Sequence, residues 1–224
     1  MTDKAFAKAK HDGMNQYFGE WESRVAFLDA LAAKSHADEA LLLACCYVDV
    51  FGNNLYGGAG HRNFVRVLVE HGGNPALGLI HPSQVHNWLV SSDAVWCKDL
   101  HSKLDGHLKK LTGQLFTDAE FALAVQPPLM AEEVEKIRPH LWRGTLASVI
   151  YTNVRCEAVH SFPPVRVSFG LTTFGGKPLE PLDYTSIAPA VKSILAYVKA
   201  TSLESGKYYG HDFAHLFANV GGVA

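Results

Sequence analysis

The stretch Ala40-Leu41-Leu42-Leu43-Ala44-Cys45-Cys46-Tyr47-Val48 constrains this chain more than any other. It is too short to span a bilayer. It belongs to a helix expected over Asp38 to Tyr56 and closed by Gly57-Gly58. A helix that is apolar nearly all round is the central rod of a helical core rather than a surface element. Its polar members, Asp49, Asn53 and Tyr56, recur at helical spacing and form a stripe on that rod. A buried polar stripe must find hydrogen-bond partners.

Other segments carry the same period. Trp21, Val25, Leu28, Leu31 and Ala32 predict a helix over Tyr17 to Lys34. A short amphipathic helix is expected from His61 to His71, stopped by Gly72-Gly73. Further helices are expected over Pro82–Leu89, Asp93–Leu111, Thr117–Val125, Ala131–Ile137 and Trp142–His160. The texture then changes. Val165, Val167 and Phe169 alternate with Arg166 and Ser168, and Gly175-Gly176 offers a turn. With Leu179–Tyr184 as the return strand, this reads as a small β-hairpin. A last long helix is expected over Thr185–Leu203, and a short one near His211–Phe217. The fold class is therefore mainly α, a helical bundle with a small β-hairpin before the last long helix. It reads as a single domain over 1–224, with 57–140 a candidate helical insertion into a bundle of helices 17–34, 38–56, 142–160 and 185–203.

With 48% hydrophobic and 19% charged residues over 224 positions, the chain has a globular composition. Its net charge of −2 gives no overall attraction to polyanions, so any nucleic-acid site must be local. Cys45, Cys46, Cys97 and Cys156 show no Cys-x-x-Cys spacing and read as unbridged thiols, which suits a reducing, cytoplasmic setting. Met1–His11 is polar and shows no signal-peptide pattern, and no membrane partner is expected.

The chemical candidate is Arg155-Cys156-Glu157-Ala158-Val159-His160, which follows the apolar run Leu146–Tyr151 and precedes Pro163-Pro164. Arginine supplies a permanent cation with a fork of donors, and histidine a group that moves a proton near neutral pH. Residues five apart lie about 140° apart around a helix, but arginine is long enough to fold back toward the next turn. Placed together, the two could bind a phosphate and do acid–base chemistry on it.

No rival set emerges from spacing. His101 and His107 are six apart and His81 and His86 five apart, whereas a helical zinc pair is four apart. His211 and His215 have that spacing without an accompanying Glu. No metal or other cofactor is expected. Gly57-Gly58-Ala59-Gly60 lacks the Gly-Lys-Ser/Thr ending of a phosphate loop, and no Gly-x-Ser-x-Gly elbow occurs. Lys98, His101, Lys103, His107, Lys109 and Lys110 make a basic segment that reads as an RNA-phosphate contact or, with Asp99 and Asp105 among them, as a solvated helix face.

Arg155-x-x-x-x-His160, at the end of a helix in an all-α chain, resembles the Arg-x4-6-His signature of the HEPN superfamily of small helical bundles. The closest text is Ile150-Tyr151-x-x-x-Arg155-x-x-x-Val159-His160, and the likeness does not extend over 57–140. It implies a metal-independent endoribonuclease or an RNA-binding protein, with two motifs meeting across a homodimer. In that reading His160 acts as general base or acid, and Arg155 stabilises charge on the phosphoryl group. Asp49 is a candidate partner for Arg155, supported by Asn53 and Tyr56. The residue after the arginine is commonly polar in the family and here is Cys156. The alternative is a non-catalytic helical protein that binds a partner or ligand.

Overall fold

The computed structural model describes residues 3–58, 60–111, 113–156, 173–174, 177–178 and 183–211. In chain order these form α1 (Asp3–Ala33), α2 (Ala37–Tyr56), α3 (His61–His71), α4 (Pro82–Ser91), α5 (Val95–Leu111), α6 (Asp118–Ala124), α7 (Ala131–Ile137), α8 (Leu146–Ile150), β1 (Thr173–Phe174), β2 (Lys177–Pro178) and α9 (Tyr184–Ser205). Two 3₁₀ segments, Pro75–Gly78 and Arg138–Gly144, and a π-helical turn, Tyr151–Cys156, complete them. The protein is thus mainly helical, and none of the described helices is long and apolar enough to cross a membrane. β1 and β2 pair antiparallel, Thr173 opposite Pro178 and Phe174 opposite Lys177. The expected arm Val165–Phe169, most of the return strand from Leu179, and the short helix beyond His211 lie outside the described residues. Tyr184, expected at the end of that strand, instead opens α9, because Asp183 caps it by accepting from the Ser186 N–H at 3.1 Å.

The chain forms two compact units, 1–73 with 183–224, and 74–182. This division differs from the expected insertion at 57–140 at both ends. In the first unit α3 packs against α2 and α9. In the second, the segment leading to α8 is tied to strand-like backbone after the first 3₁₀ turn. The His81 N–H donates to Gly144 O at 2.8 Å, and the Leu146 N–H to Leu79 O at 3.1 Å.

In the first unit α2 packs against α1, α3 and α9. It buries Ala40, Leu41, Ala44, Cys45, Val48, Phe51 and Gly52, one stripe at helical spacing. Leu42, Leu43, Cys46 and Tyr47 are half-buried and Val50 is exposed, so the rod is central without being enclosed. α1 supplies Met14, Phe18, Trp21, Val25 and Leu28, and the Trp21 ring lies 4.9 Å from that of Phe51. α9 adds Ile187, Val191, Ile194 and Val198. Polar ties fix its register on α1: the Tyr184 hydroxyl donates to Asp29 Oδ1 at 2.7 Å, and Lys192 Nζ reaches Asp29 Oδ2 at 2.8 Å. α2 and α3 approach so closely at Gly52 that a Cβ there would stand 2.6 Å from the backbone oxygen of Asn63.

The second unit has its own core, with Val85 and Leu89 of α4 against Leu100, Leu104 and Leu108 of α5, and Phe121, Val125, Ile137 and Leu141 closing it. α6 opens with a reciprocal cap, Thr117 Oγ1 accepting from the Glu120 N–H and the Glu120 carboxylate from the Thr117 N–H. His81 caps α4 through Nδ1, which accepts from the Ser83 N–H at 3.2 Å. That role requires a bare Nδ1, and burial pushes the His81 ring below its ordinary proton affinity. The folded state therefore holds His81 neutral while the unfolded chain protonates it as pH falls through about 6.5. Stability present above that pH is lost below it. Urea unfolding followed at about pH 7.5 and about pH 5.5 is expected to show this loss. His81→Asn, which keeps a cap acceptor that does not titrate, should reduce it. An unchanged pH dependence in His81→Asn would remove His81 from the account.

Candidate functional site

α8 begins at Thr145, whose Oγ1 accepts from the Ser148 N–H at 3.2 Å and donates to Trp142 O at 2.7 Å. Leu146, Ala147, Ser148, Val149 and Ile150 are all buried, which anchors the start of the motif helix in the second unit's interior. The backbone then widens into the π turn Tyr151–Cys156. Within it Thr152 Oγ1 donates to Ser148 O at 3.0 Å. Such a hydroxyl competes for a carbonyl four residues back and loosens the α ladder. Arg155 falls in this turn, half-buried, with its guanidinium carbon 5.5 Å from the centre of the Tyr151 ring. That is a cation–π distance. Val154 points inward, and Cys156 is half-buried. His160 lies outside the described residues, so the motif is described through its arginine alone.

Asp49, Asn53 and Tyr56 belong to the first unit, and Arg155 and Cys156 to the second. Asp49 and Asn53 are brought together, with Asn53 Nδ2 donating to Asp49 Oδ1 at 3.4 Å. Tyr56 is engaged elsewhere. Its hydroxyl donates to Glu70 Oε2 at 2.8 Å, and the Arg66 guanidinium lies 3.9 Å from the centre of its ring while bonding Glu70 Oε1 at 2.8 Å. Burial, then the Glu70 carboxylate, push the Tyr56 phenol far up. Tyr56 is accordingly a structural link between α2 and α3.

The basic segment on α5 is in part matched by acids. Lys103 bonds Glu133 of α7, Lys109 bonds Asp105, and the His107 ring lies 2.6 Å from Ala124 O. These contacts favour the solvated, paired helix face over a phosphate track.

α4 and α5 also gather a group that helical spacing within one element did not reveal. His86 Nε2 lies 2.8 Å from Asp105 Oδ1 and 3.2 Å from His101 Nε2, and His101 Nε2 lies 3.5 Å from the same Asp105 oxygen. It is the one set of three or more His, Cys, Asp or Glu among the described residues whose donor atoms converge closely enough to hold a metal ion. Spacing between paired histidines does not reveal it, because one ligand is a carboxylate and the histidines come from different helices. The legible half was His101 and Asp105, four apart on one face of α5. None of the four cysteines forms a disulfide.

No protein-family model, curated protein or solved structure matches the chain.

Proposed function

We propose that the chain binds RNA at a groove built around Arg155 and His160, and cleaves it without a metal, as a homodimer in which two motifs meet. The HEPN resemblance of the motif suggests this reading, and one observation carries it further: Arg155 stands on a π turn. Single π turns interrupting α-helices concentrate at functional sites, where they redirect a side chain at a cost in helical regularity. In the reaction His160 removes the proton of a ribose 2′-OH as that oxygen bonds to phosphorus. The bond from phosphorus to the 5′ oxygen breaks, and the leaving oxygen takes a proton from the histidine of the second copy. Arg155 stabilises the charge that builds on the phosphoryl oxygens. The products are a 2′,3′-cyclic phosphate and a 5′-hydroxyl end. The half-open apolar stripe Leu43, Cys46, Tyr47 and Val50 on α2 suits a contact between copies.

The test is incubation of the full chain with varied RNAs in excess EDTA beside His160→Ala. Cleavage by the wild type alone is expected. If the wild type cuts nothing, or the variant cuts equally well, the nuclease reading fails. Cys156, where the family commonly carries a polar residue, favours the non-cleaving form of the proposal, in which RNA is bound and left intact. A gel shift that survives His160→Ala and is lost in Arg155→Ala would identify that form.

A further inference from the structure

We propose that His86, His101 and Asp105 form a binding site for one divalent transition-metal ion of the zinc class, with a coordination position left open to solvent. The proposal is independent of the RNA reading and rests on different residues and different chemistry.

The sequence places the three ligands by a simple rule. Each immediately follows a residue of the α4–α5 hydrophobic seam: His86 follows Val85, His101 follows Leu100, and Asp105 follows Leu104. Val85, Leu100 and Leu104 are almost wholly buried, at 0%, 3% and 0% exposure. The next residue along each helix therefore emerges at the edge of the seam, where the two helices are already packed together. The donor atoms are thus held on rigid elements, as a metal site requires.

The distances fit one ion. At metal–ligand bonds of 2.0–2.1 Å, neighbouring ligand atoms stand about 3.0 Å apart around an octahedral ion and about 3.3 Å around a tetrahedral one. The three observed separations are 2.8, 3.2 and 3.5 Å. A point just off the plane of the three atoms lies about 2.0–2.1 Å from each. Two imidazoles bonded through Nε2 to one such ion have ring centres about 4.5–5 Å apart. Those of His86 and His101 are 4.9 Å apart.

Protons alone leave the triangle incomplete. Asp105 Oδ1 only accepts, and each neutral imidazole brings at most one hydrogen to Nε2. If both ring nitrogens donate to the carboxylate, two N–H groups confront each other at 3.2 Å. If one is bare, its lone pair faces the carboxylate oxygen. A cation between the three atoms satisfies all of them at once.

The surroundings agree. Lys109 Nζ holds the other carboxylate oxygen, Asp105 Oδ2, at 2.7 Å and leaves Oδ1 for the imidazole side. Hydrogen bonds of this outer kind fix the orientation of metal-binding carboxylates. The side chains of His86 and His101 are 22% and 30% exposed, so an ion can enter and a water can complete its shell. Two imidazoles and one carboxylate select a borderline ion over calcium or magnesium. Three protein ligands with one place for water is the pattern of reactive rather than structural zinc sites.

The full chain, stripped with EDTA and dialysed free of it, is titrated with Zn²⁺ by calorimetry and with Co²⁺ by visible absorption at neutral pH. One equivalent is expected to bind, and Co²⁺ to develop ligand-field bands. His86→Gln and Asp105→Asn, each close in shape to the native residue, should weaken Zn²⁺ binding at least about 10-fold. His11→Ala, an exposed histidine on α1, should leave it unchanged. Absence of stoichiometric binding by the wild type overturns the proposal without reference to any variant. So does binding that both ligand variants retain, or that His11→Ala lowers as much as they do.

Discussion

His160→Ala and Arg155→Ala are each expected to lower RNA cleavage in EDTA by at least about 100-fold. Removal of a general acid or base typically costs 10²- to 10⁴-fold, and removal of one preorganised group stabilising transition-state charge about 10²- to 10³-fold. In the proposed reaction both residues serve one bond-breaking step, so the double variant should be little worse than the poorer single one. Arg155→Lys keeps the charge and loses the planar fork, and should recover only part of the activity. The measurement is initial-rate cleavage of an end-labelled RNA, with far-UV circular dichroism to confirm that each variant is folded. Variants within threefold of the wild type would show that cleavage does not pass through this pair. Because EDTA is present throughout, an ion at His86, His101 and Asp105 contributes nothing to the result.

Gly52→Ala should destabilise the first unit by about 2–3 kcal/mol, the scale of overpacking a tight contact. The new Cβ would stand 2.6 Å and 2.9 Å from the carbonyl oxygen and carbon of Asn63, and 3.2 Å from Val67 Cγ1. Two of these three atoms are backbone, so relief requires α3 to move as a whole. α3 is also held from its other side, since Ser193 Oγ of α9 donates to His71 O at 2.8 Å. The same substitution at Gly19 of α1, where an added Cβ meets nothing within 4 Å, should stabilise by up to about 1 kcal/mol through helix propensity. Thermal melts should separate the two by several degrees in opposite directions. A neutral Gly52→Ala would mean that the α2–α3 approach is looser than described.

Much of the helical layout could be read from the chain. α3 spans His61–His71 as its apolar period and flanking glycines indicate, and α7 spans Ala131–Ile137 as expected. α1 reaches back to Asp3, well before the expected start at Tyr17, because its first turns are mostly polar and charged and carry little apolar period. Met14 and Phe18 continue the buried stripe, but two positions do not make a pattern. α2 is the central helix of its unit, but its burial is confined to one stripe for a geometric reason. Three neighbouring helices cover one side of a helix, and hydrophobicity alone does not say how many neighbours arrive. The candidate sites divide in the same way. Asp49 with Asn53 is a local pair and was legible from helical spacing. The link from Tyr56 to Glu70 and the convergence of His86 with His101 and Asp105 are set by how separate helices pack, and no single periodicity carries that information. The π turn under Arg155 was likewise hidden, since the apolar period of the sequence does not mark it.

The first unit is built from two distant parts of the chain, with residues 74–182 between them. During synthesis α1, α2 and α3 leave the ribosome first, yet the face of α2 that packs against α9 has no partner until the whole intervening unit has been translated. At about 5–20 residues per second that wait lasts roughly 5–20 s, long compared with helix formation and collapse. The second unit, being continuous, can complete its core within the same interval. The nascent chain thus presents the apolar surface of α2 to chaperones for seconds, and a ribosome stalled before Tyr184 would leave that surface uncovered.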